Sequence, residues 1–331
     1  MSTQDLAIIS QIIEQASATP RRIGLPEAED PRTLRAASAL HTRGICTPVL
    51  FGDAARIRQV ARKEEIRLPG AVEIVAPGEH DEATDFANQL YEARKHKGIT
   101  PEAAKELLQH PLWFANFYLA AGYSHGTLAG AVNTTADVIR SALQSVGTRE
   151  KGGMVSSSFL MGLRDGRPVT FADCAVIPYP DAAQLAGIAV DAAETHRKLT
   201  GETSRVAMLS FSTKGSARHE RVSLMQEATE LAQQRAPELL IDGELQFDAA
   251  FVEAIGKRKA PRSEIAGKAN VFVFPNLDAG NIGYKITERV GGAVALGPIL
   301  QGLAKPVNDL SRGCSADDMV LISAITALLS E

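Results

Sequence analysis

Short runs of β-branched and apolar residues alternate with helical patterns along nearly the whole chain, and this alternation restricts the fold more than any other feature. Helices placed between successive strands are typical of parallel sheets that are covered by helices on both faces. We therefore predict an α/β fold. The predicted strands are Arg22–Leu25, Thr47–Phe51, Val72–Val75, Val155–Met161, Val169–Ala172, Val206–Ser210, Leu239–Ile241, Val271–Phe274 and Ala293–Leu296.

Most helical patterns lie between these strands. The first should begin with Asp30 as its N-cap and Pro31 at the first helical position. Apolar residues at helical spacing within Met1–Ser17 predict a further amphipathic helix. The predicted helices between strands are Pro31–Thr42, Asp81–His96, Thr135–Leu143, Asp181–Lys198 and Glu220–Arg235.

Length, charge and cysteine usage limit the class of protein. A chain of 331 residues suits two α/β domains of ordinary size. A net charge of -4 argues against nucleic acid or an anionic membrane as partner. Three cysteines without a C-x-x-C motif suit a reducing compartment, and the longest apolar stretches are too short to span a bilayer. With no recognisable targeting segment, we expect a cytoplasmic protein.

The segment Ser311–Asp318 gathers several chemical groups in eight residues. Arg312 offers a planar fork to an anion, and Gly313 lets a ligand approach the backbone. The helix that follows adds free N–H groups at its N-terminus. Asp318 has two interpretations, because it is either the N3 residue of a capping box with Ser315 or a catalytic base. Arg312 taken alone is more typical of an exposed surface arginine.

Two arginines of the first half are also candidates. Arg94 lies in the basic end of a predicted helix, where the helix dipole stabilises cations. Arg140 lies on the surface of another predicted helix. Asn133, Thr134 and Thr135 precede that helix, so they either cap it or direct its N–H groups at an anion.

Other motifs are weaker. The loop Ser210–Arg218 lies between a strand and a helix, and it suits either the phosphates of a nucleotide or a purely structural turn. The histidines form no metal-binding pair at helical spacing, and a structural zinc site lacks its cysteines. Neither Cys174 nor Cys314 has a recognisable histidine partner, so buried thiols are expected.

The segment Gly302–Asp318 resembles the signature of the phosphate acetyltransferase and phosphate butyryltransferase family. The resemblance continues through Phe171–Ala175, Arg205–Ser210 and Asp242–Gln246. It implies two three-layer α/β/α domains with mostly parallel sheets and an active-site cleft between them. The first domain would be discontinuous, with residues 1–147 and 296–331, and the second would comprise residues 148–295. The resemblance also implies a homodimer formed through the second domain.

The resemblance implies reversible transfer of an acyl group between coenzyme A and orthophosphate, so that acetyl-CoA and phosphate give acetyl phosphate and coenzyme A. Both substrates would be bound together, and neither a metal nor another cofactor would be required. Asp318 would take the thiol proton, Ser311 would hydrogen-bond the transition state, and Arg312 would bind phosphate. The resemblance also assigns substrate binding to Arg94 and Arg140, with Asn133, Thr134 and Thr135 beside the latter.

Three questions stay open at this stage. Full proton transfer from an ordinary thiol to an ordinary carboxylate would cost about 6 kcal/mol, so a pKa must shift or transfer must accompany attack. Butyryl or propionyl groups are alternative substrates, with acetate, ethanolamine or propanediol metabolism as the pathway. A non-catalytic acyl-CoA-sensing module is the alternative from another class.

Overall fold

A computed structural model describes residues 7–330 of the protein, and within it the chain divides into two compact units. The first unit comprises residues 9–153 and 303–330, and the second comprises residues 154–302 together with Ala7 and Ile8. The sequence-based boundaries, after residues 147 and 295, lie several residues earlier. They differ because a bridge between Thr148 and Leu303 ties residues 148–153 to the first unit, and because the strand that ends at Gln301 pairs within the second sheet.

The described residues form two β-sheets. A five-stranded sheet belongs to the first unit and a six-stranded sheet to the second. The strands are β1 (Arg22–Leu25), β2 (Thr47–Phe51), β3 (Glu73–Val75), β4 (Gly126–Ala129), β5 (Ser156–Gly162), β6 (Pro168–Ala172), β7 (Arg205–Leu209), β8 (Leu240–Leu245), β9 (Val271–Val273), β10 (Val294–Gln301) and β11 (Val307–Asp309).

Helices connect most of the strands. The predicted N-cap Asp30 accepts a hydrogen bond from the N–H of Arg32, and Pro31 follows it as predicted. Of the predicted N-terminal helix, Met1–Leu6 lie outside the described residues. The helices are α1 (Ala7–Ala18), α2 (Pro31–Thr42), α3 (Ala54–Lys63), α4 (Ala83–Arg94), α5 (Pro101–Leu107), α6 (Pro111–Ala120), α7 (Thr135–Ser145), α8 (Ala182–Thr200), α9 (Glu220–Arg235), α10 (Phe247–Phe251), α11 (Glu253–Lys259), α12 (Leu277–Arg289) and α13 (Ala316–Leu329).

The sheet of the first unit has the order β11-β4-β1-β2-β3, and all of its strand pairs are parallel. Helix α13 is buried from Met319 to Leu328 and packs against α2 and β4. A helix that is apolar on every side is stable only inside a core, so the C-terminal residues complete this unit. Because the neighbouring strands β11, β4 and β1 are parallel, their C-terminal ends lie side by side at one edge of the sheet.

The sheet of the second unit has the order β10-β5-β6-β9-β7-β8. Strands β6, β9, β7 and β8 are parallel, whereas β10 and β5 are antiparallel to their neighbours. Side chains of β9 alternate between two cores, because Val271 and Val273 face one and Phe272 faces the other. The predicted α/β class with mostly parallel sheets is confirmed. Among the helices of residues 7–330, none combines the length and apolar character needed to cross a bilayer.

Candidate active site

Every predicted site residue lies in the first unit. Three loops leave neighbouring strands at one edge of its sheet, and two of these loops contain Asn133, Thr134, Ser311 and Arg312. Thr135 and Asp318 lie in the first turns of the helices that follow those two loops. Residues 26–30 follow β1, residues 130–134 follow β4, and residues 310–315 follow β11. This edge is where parallel α/β sheets generally bind ligands, because the strand ends there leave a crevice between their loops. A cavity of about 430 Å³ at the same edge is lined by Glu27, Phe51, His110, Val132 and Asn133 among others.

The turn Ser311–Gly313 is exposed and presents the guanidinium of Arg312. Its internal bonds are few: the N–H of Gly313 donates to Ser311 Oγ at 3.3 Å, and the N–H of Cys314 donates to the Ser311 carbonyl at 2.9 Å. Within residues 7–330, no carboxylate forms a salt bridge with Arg312. Its charge is therefore available to an anion.

Asp318 is the N3 residue of the predicted capping box, which the structure confirms. Its Oδ2 accepts hydrogen bonds from the N–H and the hydroxyl of Ser315, each at 2.8 Å, and the N–H of Asp318 donates to Ser315 Oγ at 3.1 Å. No described residue hydrogen-bonds its Oδ1. The cap uses one carboxylate oxygen and leaves the other one exposed, so capping and proton transfer are compatible in one residue.

Glu27 organises the loop after β4, a role that sequence reasoning did not anticipate. This buried carboxylate accepts hydrogen bonds from the N–H groups of Gly130, Ala131, Val132 and Asn133, at 2.7 to 3.0 Å. It also accepts one from Asn133 Nδ2 at 2.8 Å. Four consecutive N–H groups resemble an anion site, but the protein's own side chain fills it. Asn133 is thus held by an internal partner.

Thr134 and Thr135 begin α7, as predicted. Thr134 is the N-cap, because its Oγ1 accepts from the N–H of Asp137 at 3.1 Å. The hydroxyl of Thr135 donates to Asp309 Oδ2 at 2.5 Å. Asp309 is only 2% exposed, and its second oxygen has no hydrogen-bond partner among the described residues. Burial, together with the nearby Glu27, raises the pKa of Asp309 to about 6.

The two remaining arginines have different surroundings. Arg140 is exposed on α7, and its Nη1 forms a salt bridge of 3.1 Å with Asp137 Oδ1. Arg94 is the last residue of α4 and is half-buried. Within the described part of the chain, no hydrogen bond or salt bridge joins the Arg94 side chain to the three loops. The structure thus gathers Asn133, Thr135 and the Arg312 turn around buried carboxylates, but it does not tie Arg94 to them.

In the second unit, the loop Ser210–Arg218 is built around a buried carboxylate. Glu244 accepts hydrogen bonds from Ser212 Oγ at 2.8 Å, from the N–H of Gly215 at 2.7 Å and from Gln226 Nε2 at 2.9 Å. Lys214 donates to the Gly243 carbonyl at 2.6 Å. These internal bonds support the structural interpretation of the loop.

Cys46, Cys174 and Cys314 are free and buried, which confirms the expectation of buried thiols. Burial raises the pKa of the Cys46 thiol to about 12, so it is not a thiolate at neutral pH. No group of three or more histidine, cysteine, aspartate or glutamate side chains is placed to hold a metal ion within residues 7–330.

Comparison with known proteins identifies the family. The family described as phosphate acetyl/butaryl transferase matches residues 7–327. A phosphate acetyltransferase of Thermoanaerobacterium thermosaccharolyticum is 46% identical over 331 residues, which cover 98% of this chain and 100% of that protein. One of Bacillus subtilis is 43% identical, with 97% of this chain and 98% of that protein covered.

Solved structures agree with the sequence comparison. A phosphotransacetylase of Streptococcus pyogenes superposes with a TM-score of 0.93 at 40% identity, covering 100% of this chain and 99% of that one. A phosphotransacetylase of Staphylococcus aureus gives a TM-score of 0.91 at 41% identity, with 98% of both chains covered. The family match includes every predicted site residue from Arg94 to Asp318. The chain therefore belongs to the phosphate acetyltransferase and phosphate butyryltransferase family of acyltransferases.

Proposed function

We propose that the chain catalyses reversible transfer of an acetyl group between coenzyme A and orthophosphate, with both substrates bound in one ternary complex. The observation that carries this proposal is the family match over residues 7–327, which includes the intact segment Ser311–Asp318. Relatives named phosphate acetyltransferase that align along the whole chain favour acetyl over longer acyl groups.

In this proposal Arg312 binds the phosphate. Its guanidinium is exposed and has no salt-bridge partner among the described residues, so it can bind two oxygens of a phosphate or acyl phosphate at once. Arg94 and Arg140 bind further anionic groups of the substrates. Arg140 forms an exposed and therefore weak salt bridge with Asp137. A substrate phosphate could replace the Asp137 carboxylate as the partner of Arg140.

Asp318 accepts the thiol proton when coenzyme A attacks acetyl phosphate. The unpartnered Oδ1 is the atom available for it, because Oδ2 is occupied by Ser315. A sulfur–carbon bond then forms, the carbonyl oxygen becomes an oxyanion, and Ser311 donates a hydrogen bond to that oxyanion. Collapse of this intermediate breaks the carbon–oxygen bond to phosphate, which leaves as orthophosphate.

Arginine charge and substrate positioning supply the stabilisation in this scheme, so it includes no metal or other cofactor besides coenzyme A as a substrate. We accordingly expect EDTA at constant ionic strength to leave the activity unchanged. Loss of activity that one divalent ion restores would contradict this part of the proposal.

The direct test is a phosphate-dependent release of coenzyme A from acetyl-CoA, followed with a thiol reagent. Propionyl-CoA and butyryl-CoA are compared under the same conditions. Because one methylene in an apolar pocket changes discrimination by roughly 10- to 200-fold, we expect kcat/KM to be at least about 10-fold higher for acetyl-CoA. Absence of phosphate-dependent release with every acyl group would refute the proposal and support a sensing role.

We also propose a homodimer formed through the second unit. Helix α12 and its C-cap Val290 support it, because Ile282, Ile286 and Val290 follow one another at four-residue spacing and are 58%, 54% and 81% exposed. An exposed apolar stripe of this kind is typical of a protein–protein interface. Light scattering should give the mass of a dimer, and Ile286→Glu should give a monomer. Leu143→Glu, at an exposed apolar site of the first unit, is the matched control.

We place the protein in the cytoplasm. Its three cysteines are all free, as expected for a reducing compartment. Its net charge of -4 argues against a nucleic acid partner, and in this proposal local basic sites hold the small anionic substrates.

A further inference from the structure

The guanidinium of Arg32 is fully hydrogen-bonded beside the candidate active site. Its Nε and Nη2 donate to the two oxygens of Asp30, at 3.0 and 2.7 Å. Its Nη1 donates to the carbonyls of Arg312 at 2.7 Å and Cys314 at 3.1 Å, and its Nη2 donates to the Ala131 carbonyl at 3.0 Å. An arginine has five N–H donors, so each one has an acceptor here.

These bonds distinguish Arg32 from Arg312. The Arg32 charge is paired with Asp30 through two parallel N–H bonds, which is the strongest geometry for this pair. No N–H of Arg32 is left for a substrate. The guanidinium of Arg312, by contrast, has no salt-bridge partner within residues 7–330. The first arginine is therefore built to hold protein atoms and the second to receive a ligand.

The protein atoms that Arg32 holds belong to two of the site's loops. The turn Ser311–Gly313 has few bonds of its own, and Arg32 fixes the carbonyl of Arg312 itself. The same side chain fixes Ala131, whose N–H donates to Glu27 at 2.8 Å. A substrate-binding side chain on an exposed turn keeps one orientation only if the backbone beneath it is held.

We infer that Arg32 is a positioning residue for acyl transfer, which holds the turn Ser311–Gly313 so that Arg312 meets phosphate in a fixed orientation. This inference rests on the proposed function. Asp30 contributes to this positioning, because its carboxylate keeps the Arg32 guanidinium directed at the turn.

The first test is Arg32→Ala, with Arg35→Ala as the matched control. Arg35 lies one turn further along α2 and is paired with Glu64 at 3.7 Å, away from the site loops. For Arg32→Ala we expect kcat/KM for phosphate to fall roughly 10²-fold, as for a misplacement of about 1 Å, with the KM for acetyl-CoA nearly unchanged. Guanidinium chloride, below the concentration that lowers the melting temperature, should restore part of the activity. Arg35→Ala should match the wild type.

Arg32→Lys provides a second variant that keeps the charge and the hydrocarbon stem, in case the alanine variant does not fold. Lysine has three donors and no planar fork, so it cannot satisfy five acceptors, and we expect a loss of the same kind. If both variants keep the phosphate KM and kcat of the wild type, the positioning role is overturned.

The decisive measurement is a double-mutant cycle with Arg312→Lys. If Arg32 acts through Arg312, its removal from the Arg312→Lys enzyme should cost less than about 3-fold, because the effects are not additive. Additive losses would mean that Arg32 contacts substrate independently and would overturn the inference. The proposed function fails separately, if the wild type shows no phosphate-dependent transfer or if Arg312→Lys is fully active.

Discussion

At the scale of single residues, the carboxylate of Asp318 can serve both as a helix cap and as the proposed base. One oxygen of its carboxylate closes the capping box with Ser315, and the other has no hydrogen-bond partner among the described residues. The two interpretations from the sequence are therefore not exclusive. The cap fixes the carboxylate in one rotamer, which is what a base must have to meet a thiol at a defined angle.

Asp318→Asn separates the two roles. Asparagine keeps the size and a hydrogen-bonding oxygen but cannot take a proton at neutral pH. We expect kcat to fall roughly 10²- to 10⁴-fold. The free energy of unfolding should change by at most about 1 kcal/mol, the usual scale of a capping interaction. Turnover and melting temperature are measured on one preparation. Asp317→Asn, the exposed neighbour in the same helical turn, should stay near wild type in both.

Arg312→Lys tests the fork of the guanidinium rather than its charge. We expect the KM for phosphate to rise and kcat to fall by at least about 10-fold, because lysine cannot bind two oxygens in a plane. The KM for coenzyme A should change far less. Arg289→Lys is the control, since Arg289 is exposed on α12 in the second unit. Unchanged phosphate kinetics would make Arg312 an ordinary surface residue.

At the scale of elements, buried carboxylates join strand ends that are distant in sequence. Glu27 after β1 holds the loop after β4, and Asp309 at the end of β11 holds the start of α7 through Thr135. Gly130 passes so close to Asp309 that a side chain there would collide with its carboxylate, and its φ of 106° also favours glycine. The site is therefore shaped by internal anions as much as by the cations that would bind substrate.

Asp309→Asn should change how stability depends on pH. The pKa of Asp309 lies at about 6 in the folded protein, above its ordinary value of 3.8, so between these values the folded state binds more protons than the unfolded state. The free energy of unfolding therefore falls as pH rises through this window, by up to roughly 3 kcal/mol. In the asparagine variant, the contribution of this residue to the free energy of unfolding should no longer change with pH in this window.

Urea unfolding at several pH values between 4 and 7 measures the effect, with the fluorescence of Trp113 as probe. It is the chain's single tryptophan, and it is buried in the first unit. The exposed N-cap Asp53 is the control, because backbone hydrogen bonds from Arg56 and Ala55 lower its pKa. Asp53→Asn should instead remove stability that is present near neutral pH. A variant of Asp309 with the slope of the wild type would contradict the assignment.

The sequence predicted the elements that have clear periodicity, such as β1, β2, α2 and α9, with the bounds that the structure shows. It did not predict β4 or β11, because Gly126–Ala129 and Val307–Asp309 are short and lack a run of β-branched residues. The candidate segment Ser311–Asp318 could be recognised in the sequence because its residues are neighbours. Glu27, Arg32 and Asp309 were missed, since the loop and helix residues that they hold are about a hundred or more positions away and only folding brings them together.

At the scale of the whole molecule, each of the two units contains a buried titratable group, and burial shifts the pKa values of these two groups in opposite directions. Asp309 belongs to the first unit, and His196 on α8 belongs to the second. His196 is fully buried; Thr170 Oγ1 lies 2.9 Å from its Nδ1, and its Nε2 has no partner among the described residues. Burial, reinforced by Arg205, lowers the pKa of His196 to about 4.

His196 should therefore make the second unit sensitive to acid. Its ordinary pKa is 6.5, so between about 6.5 and 4 the unfolded state binds a proton that the folded state does not. The free energy of unfolding falls as pH falls through this window, by roughly 3 kcal/mol at most. In the same window Asp309 acts in the opposite direction on the first unit. The acid response of each unit should accordingly differ.

His196→Asn is the variant that tests this difference. Asparagine places a polar atom near the position of Nδ1, so it can keep the bond to Thr170, but it does not titrate. The cavity left by the imidazole ring lowers the free energy of unfolding at every pH. The test therefore compares how this free energy changes with pH and not its absolute value. Hydrogen exchange of peptides from residues 154–302, corrected for intrinsic rates, should lose its acceleration between pH 6.5 and 4. Peptides of the first unit should keep the pH dependence set by Asp309.

His219→Asn is the control, because His219 is the exposed N-cap of α9 and asparagine is also a good N-cap residue. Equal acid slopes in wild type and the His196 variant would show that this histidine does not set the acid limit of its unit.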